Sequence, residues 1–144
     1  MMATKDYSIL IADDDSECRR ALREIMEPEG FHTLLASSGE EAIDIVRDAV
    51  VHLALLDLHL PRLTGLETLS IVRQQVNVSL PCILITGDAS DKVMRQAAQA
   101  KVYSVIPKPI SKNLVLYTVV RALSRFYGQG QTKDKEKDKG KDQG

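Results

Sequence analysis

Only two cysteines occur, Cys18 and Cys82, and their separation fits no metal-binding or redox spacing. Both are expected to be reduced thiols. No apolar stretch approaches the ~18–20 residues needed to span a bilayer, and the first residues lack the basic-then-apolar layout of a signal peptide. Charge of one sign is missing as well: the formal total is -1, which argues against a dedicated nucleic-acid binder. No glycine-rich turn follows the first apolar run, so a nucleotide-binding doubly wound domain is excluded. What remains is a chain of 144 residues, 44% hydrophobic, sized for one domain with one core and expected to work in the cytoplasm.

Short β-type runs alternate with helical patterns along that chain. The strands are expected at Tyr7–Ala12, Thr33–Ala36, Leu53–Asp57, Cys82–Thr86 and Tyr103–Ile106. Most are continuous apolar runs, as strands of a parallel sheet covered on both faces should be. Thr33–Ala36 is short and runs into Ser37-Ser38-Gly39, so it reads as an edge strand. Ser16, Ser38, Ser90 and Ser111 precede helical segments and are the expected N-caps. The pattern is (βα)5, an α/β, flavodoxin-like, doubly wound five-stranded parallel sheet of strand order 2-1-3-4-5. Residues 1–127 form the domain. Residues 128–144, rich in lysine and acids and without one apolar residue, are expected to be a disordered charged tail.

Polar residues close the apolar runs at telling places. Asp13 and Asp14 follow strand 1, Asp57 ends strand 3, Thr86 ends strand 4, and Lys108 follows strand 5. In an open parallel sheet the functional crevice lies outside the carboxyl ends of the strands, where strand order reverses. For order 2-1-3-4-5 that point falls between strands 1 and 3, so the three acids flank it. Each of these residues has an ordinary explanation alone: a turn aspartate, a helix cap, an exposed loop lysine. Their coincidence at one sheet edge is the informative fact.

Three neighbouring carboxylates cannot all stay ionised without compensation. A hard divalent cation such as Mg2+ supplies it, taking one or two carboxylates plus waters and phosphate oxygens. Three aspartates, one Mg2+ and Lys108 sum to zero charge, a setting suited to receiving a phosphoryl group. One carboxylate then serves as nucleophile and forms an acyl phosphate.

The set Asp13-Asp14, Asp57 with Pro61 and Gly65, Thr86-Gly87 and Lys108-Pro109 resembles the receiver domain of two-component response regulators, over about Tyr7 to Tyr127. The resemblance implies a phosphoacceptor at Asp57, supplied by a phosphohistidine on a sensor histidine kinase or histidine phosphotransfer protein. It implies Mg2+ held by Asp13, Asp14, Asp57 and the backbone carbonyl of His59, phosphoryl contacts from Thr86 and Lys108, and a cis Lys108–Pro109 peptide. It further implies self-catalysed phosphotransfer and autodephosphorylation rather than an enzyme acting on separate substrates. The closest form is a stand-alone receiver, whose output is a protein docking on helix 4, strand 5 and helix 5, or onward phosphotransfer.

One position departs from the family. Val105 stands where relatives usually carry a Tyr or Phe switch; Tyr103, two residues earlier, is expected on the same strand face. His59 and Asp88 are expected at the entrance to the site, and His32 and His52 on the surface. In the last helix, Val115, Leu116, Val119, Val120, Ala122, Leu123, Phe126 and Tyr127 cover a wide apolar arc. That arc is either buried or a face for a partner or a homodimer. Two rivals were weighed. A haloacid-dehalogenase-like phosphohydrolase wants an acid two residues after the nucleophile, where His59 stands. A phosphorylation-independent receiver-like scaffold draws its support from Val105 alone.

Overall fold

Aliphatic runs bounded by turn residues become the strands β1 (Ser8–Ala12), β2 (His32–Ala36), β3 (Leu53–Asp57), β4 (Cys82–Thr86) and β5 (Ser104–Pro107). The computed structural model describes residues 7–128. All ladders are parallel, and the order is β2-β1-β3-β4-β5, as the sequence predicts. Every residue of β3 and β4 is buried, which is why both are unbroken apolar runs. β2 is indeed an edge strand, and β5, which contains Pro107, is the other. A proline that cannot donate to a ladder is tolerated at an edge.

Helices α1 (Ser16–Met26), α2 (Gly39–Asp48), α3 (Gly65–Gln75), α4 (Asp91–Gln99) and α5 (Lys112–Tyr127) cover the two faces. Ile9, Ile11, Leu53, Leu55, Ile83 and Ile85 point into one core layer with Leu22 of α1 and Val115, Val119 and Leu123 of α5. Leu10, Ala54, Leu56, Cys82 and Leu84 point into the other, against Ile43, Val46, Leu69, Val72, Val93 and Ala97 of α2, α3 and α4. This alternation is the period-two pleat of each strand. Both cysteines are free thiols, Cys82 buried and Cys18 half-buried. No helix among the described residues is long and apolar enough to cross a membrane.

Ser38, Ser90 and Ser111 cap α2, α4 and α5 through their side chains. Ser16 does not cap α1. Asp15 does, its carboxylate accepting from the Glu17 amide at 3.0 Å, because Ser16 is already inside the helix. A Thr64–Glu67 capping box starts α3, a start the sequence reading lacked.

His52 is half-buried and engaged in contacts rather than an ordinary surface residue. Its Nδ1 accepts from the Ser8 amide at 3.0 Å, and its ring lies edge-on to Tyr7 and Tyr127, whose hydroxyl donates to the His52 carbonyl at 2.7 Å. This knot ties the end of α5 to the start of β1 and β3. His32 is exposed, as expected.

The apolar arc of α5 divides. Val115, Val119, Ala122 and Leu123 are buried along with Thr118, whose hydroxyl donates back to the Leu114 carbonyl at 2.6 Å. Val120 and Phe126 of the arc stay exposed, as do Leu114 and Tyr117 outside it. Gly128 closes α5. The rest of the segment expected to be a disordered tail, 129–144, lies outside the described residues.

Candidate functional site: an acidic crevice at the carboxyl edge of the sheet

Parallel pairing brings the ends of β1, β3 and β4 level, because Ala12 sits opposite Leu56 and Asp57 opposite Ile85. The residues just beyond therefore share one edge. Carboxylate oxygens of Asp13, Asp14 and Asp57 lie within 4.8 Å of one another. Lys108 Nζ reaches in from the β5–α5 loop, 3.1 Å from Asp57 Oδ2 and 3.1 Å from Asp13 Oδ2. Thr86 is fully buried at the end of β4, and its hydroxyl accepts from the Asp88 amide at 2.9 Å. The Lys108–Pro109 peptide is cis. Asp13, Asp14, Asp57 and Lys108, all singled out in the sequence, converge, and Thr86 ends the strand beside β3.

Each acid is held differently. Asp57 Oδ1 accepts from the His59 amide at 3.1 Å, which fixes the carboxylate beside the β3–α3 loop. Asp13 Oδ1 accepts from the Asp15 amide at 2.9 Å, and Arg19 grips the Asp13 carbonyl at 2.6 Å. Asp13 Oδ2 is buried without a hydrogen-bond donor, since Lys108 approaches it at ion-pair distance but outside hydrogen-bond geometry. Asp14 is exposed, and among the described residues no ion pair or hydrogen bond engages its carboxylate.

The charges bear on one another. Burial raises the Asp57 carboxyl above the ordinary aspartate range and the Asp13 charge adds to this, while the His59 amide and Lys108 offset only part. Burial pushes Asp13 the same way, yet the Cys18 thiol, the Asp15 amide and Lys108 together hold it below that range. Burial would lower Lys108, but its two carboxylate partners hold it well above the usual lysine value. Cys18 is pushed up to about 12 by burial and by Asp13. A cluster of acidic oxygens from two buried aspartates and one exposed one, with a single lysine to balance it, fits a hard divalent cation.

Sequence reasoning missed Cys18 and Arg19 as supports of Asp13. Both lie in the first turns of α1, directly after the acid pair, and that proximity was the available signal. Tyr103 is a correction. It does not share a face with Val105: Val105 packs with the α2–α3–α4 layer, whereas Tyr103 packs with the α5 layer, its ring 6.2 Å from Phe126. The period-two rule failed because Tyr103 precedes β5, just after Lys101 turns the chain with φ 55. His59 and Asp88 do lie together, lining a cleft of about 400 Å3 that also includes Leu58, Val93 and Lys92.

Gly65 secures the geometry. A Cβ there would sit 2.4 Å from the Asp57 carbonyl oxygen, so α3 can approach the end of β3 this closely only without a side chain. Gly65→Ala is expected to cost about 1–3 kcal/mol, the usual range for overpacking, and to displace Asp57. Denaturant melts measure the first effect, and a variant as stable as the parent would contradict it.

The sequence profile of the response regulator receiver domain matches residues 9–120. The chain belongs to this family. This receiver is 30% identical over 128 residues to the transcriptional regulatory protein CpxR of Escherichia coli, covering 89% of the chain and 54% of CpxR. It spans about half the length of the curated relatives it matches first. Among solved structures, a CheY-like receiver domain protein from Methanospirillum hungatei superposes with a TM-score of 0.80 at 27% identity, covering 86% of this chain and 98% of that one. The receiver domain of an HD domain-containing protein from Pseudomonas fluorescens gives 0.78 at 25% identity, covering 83% and 95%. Receiver domains belong to two-component systems, and the acidic crevice of this receiver is in keeping with phosphorylation and Mg2+ binding.

The raised Asp57 carboxyl has a measurable consequence for this receiver. A carboxyl raised on folding contributes stability that is present below its unfolded value, about 3.9, and is lost as pH rises through the folded value. Asp13, lowered, has the opposite sign and loses its contribution as pH falls. Asp57→Asn is therefore expected to raise the melting temperature of metal-free protein at neutral pH, with the gain shrinking as pH falls toward the unfolded value. Melts in chelator across that range check it; a destabilised variant at neutral pH would contradict it.

Proposed function

We propose that this chain accepts a phosphoryl group on Asp57 from a phosphohistidine donor, a sensor histidine kinase or a histidine phosphotransfer protein. The observation that carries this reading is the Asp57 carboxylate at the end of the central strand, within reach of Asp13, Asp14 and Lys108. An Asp57 oxygen attacks phosphorus, the new O–P bond forms, and the P–N bond to the donor imidazole breaks with its electron pair returning to nitrogen. Lys108 pairs with Asp57 beforehand and, with Thr86, takes up phosphoryl oxygens as charge develops. Asp13, Asp14, Asp57 and the His59 carbonyl would hold Mg2+, whose positive charge would offset that of the phosphoryl oxygens. Water then hydrolyses the acyl phosphate, its approach governed at the cleft edge by His59 and Asp88. The protein modifies only itself and is not an enzyme with a separate substrate.

Residues 1–127 act as the receiver in the cytoplasm, and the charged segment 128–144 takes no part in the chemistry. Output passes to a protein that docks on α4, β5 and α5. Val105 has a branched, stiff side chain with no ring to swing, and Tyr103 faces the other layer, so the response runs through backbone shifts around Gly87 and α4. Incubation with acetyl phosphate, with and without Mg2+, tests the reading by intact mass. One added phosphoryl group is expected with Mg2+ and none with chelator; uptake independent of the metal would overturn it.

A further inference from the structure

The total charge of -1 conceals a division along the chain. Residues 1–91 hold sixteen Asp and Glu against seven Lys and Arg, whereas residues 92–128 hold seven Lys and Arg and no acid at all. Of those seven, Lys108 turns into the acidic crevice. The other six, Lys92, Arg95, Lys101, Lys112, Arg121 and Arg125, are exposed on or beside α4 and α5, and Lys92 acts on the charge of nearby Asp88. The helices flank the edge strand β5, so one end of the sheet is cationic.

That end also carries apolar surface. A groove of about 440 Å3 between β5 and α5 is lined by Tyr103, Ser104, Leu114, Tyr117, Thr118 and Arg121. Tyr117 is 61% exposed and Leu114 41%, large values for residues of this kind. The Arg121 guanidinium lies 5.6 Å from the Tyr117 ring centre and 3.3 Å from its hydroxyl, preformed over the groove with no acid beside it. Arginine and tyrosine, here Arg121 and Tyr117, are among the residue types that dominate binding hot spots.

We infer that the β5–α5 groove docks an acidic segment of another protein, which lays apolar side chains on Leu114 and Tyr117 and places a carboxylate on Arg121. Charge complementarity chooses this occupant. A two-fold dimer through the same face would set each patch on its own copy, cation against cation, which costs rather than stabilises. The homodimer reading of α5 is thereby disfavoured. Phosphate backbones would satisfy the cations but leave Leu114 and Tyr117 uncovered. The control of docking by phosphorylation rests on the function proposed above; the docking chemistry rests on the groove and its charges alone.

The test is selection of a displayed library of random linear peptides against the full chain in Mg2+ and beryllofluoride, followed by anisotropy on the enriched sequences. Expected are peptides rich in Asp and Glu with at least one large apolar residue. Their binding should fall at least tenfold with Arg121→Glu and weaken with salt, while phosphoryl uptake and melting temperature stay at parental values. Enrichment of neutral or basic peptides, no enrichment, or binding indifferent to Arg121→Glu would overturn the inference. So would a dimer in light scattering, or tighter binding to phosphatidylglycerol vesicles or duplex DNA than to the acidic peptides. Equal peptide binding with and without beryllofluoride would keep the docking site and remove its phosphoryl control, so the two failures are told apart.

Discussion

Asp57→Asn should take up no phosphoryl group from acetyl phosphate under conditions that modify the parent fully. The amide is nearly the same shape, so the buried position at the end of β3 and the His59 contact survive. What is lost is the anionic oxygen that attacks phosphorus. No neighbour can replace it: Asp13 is committed to Asp15 and Lys108, and Asp14 stands exposed at the rim. Intact mass on the variant decides the matter. A fully phosphorylated variant would place the acceptor elsewhere and remove the basis of the proposed function.

The second large effect concerns the metal. Asp14→Ala is expected to weaken Mg2+ binding by about 100-fold or more and Asp13→Ala by ~10-fold, where every tenfold is about 1.4 kcal/mol. The difference follows from how the two are held. Asp14 offers an unengaged carboxylate, whereas both Asp13 oxygens already face the Asp15 amide or Lys108. Calorimetric titration of Mg2+ into both variants measures this, and equal losses would contradict the division of roles.

These contrasts bear on what a sequence discloses. The sheet was legible because burial on both faces leaves strands such as Leu53–Asp57 and Cys82–Thr86 with no polar interruption. The crevice was legible for a related reason: a parallel sheet aligns its strand ends, so residues that close apolar runs are brought together whatever the sequence distance between them. Other features depend on contacts that no local pattern encodes. Asp15 rather than Ser16 caps α1 because the helix starts one residue earlier than the serine rule expects. His52 reads as polar and exposed until Tyr7 and Tyr127 enclose it from elements far away in sequence. The period-two rule misplaced Tyr103 because it was extended past the end of the ladder, where the turn at Lys101 resets the chain direction. A helical wheel likewise cannot tell how much of an apolar arc a neighbouring sheet will cover, and on α5 it covers Val115 and Val119 but not Val120 or Phe126.

The central claim is that Asp57, and no other acid, becomes an acyl phosphate. Borohydride reduces such a bond to the alcohol, so protein treated with acetyl phosphate and Mg2+, reduced and digested, reports the acceptor by peptide mass. The account predicts homoserine at position 57 alone, absent when chelator replaces Mg2+. Reduction at Asp13 or Asp14, or an unchanged peptide around position 57 in protein that has gained a phosphoryl group, would contradict it.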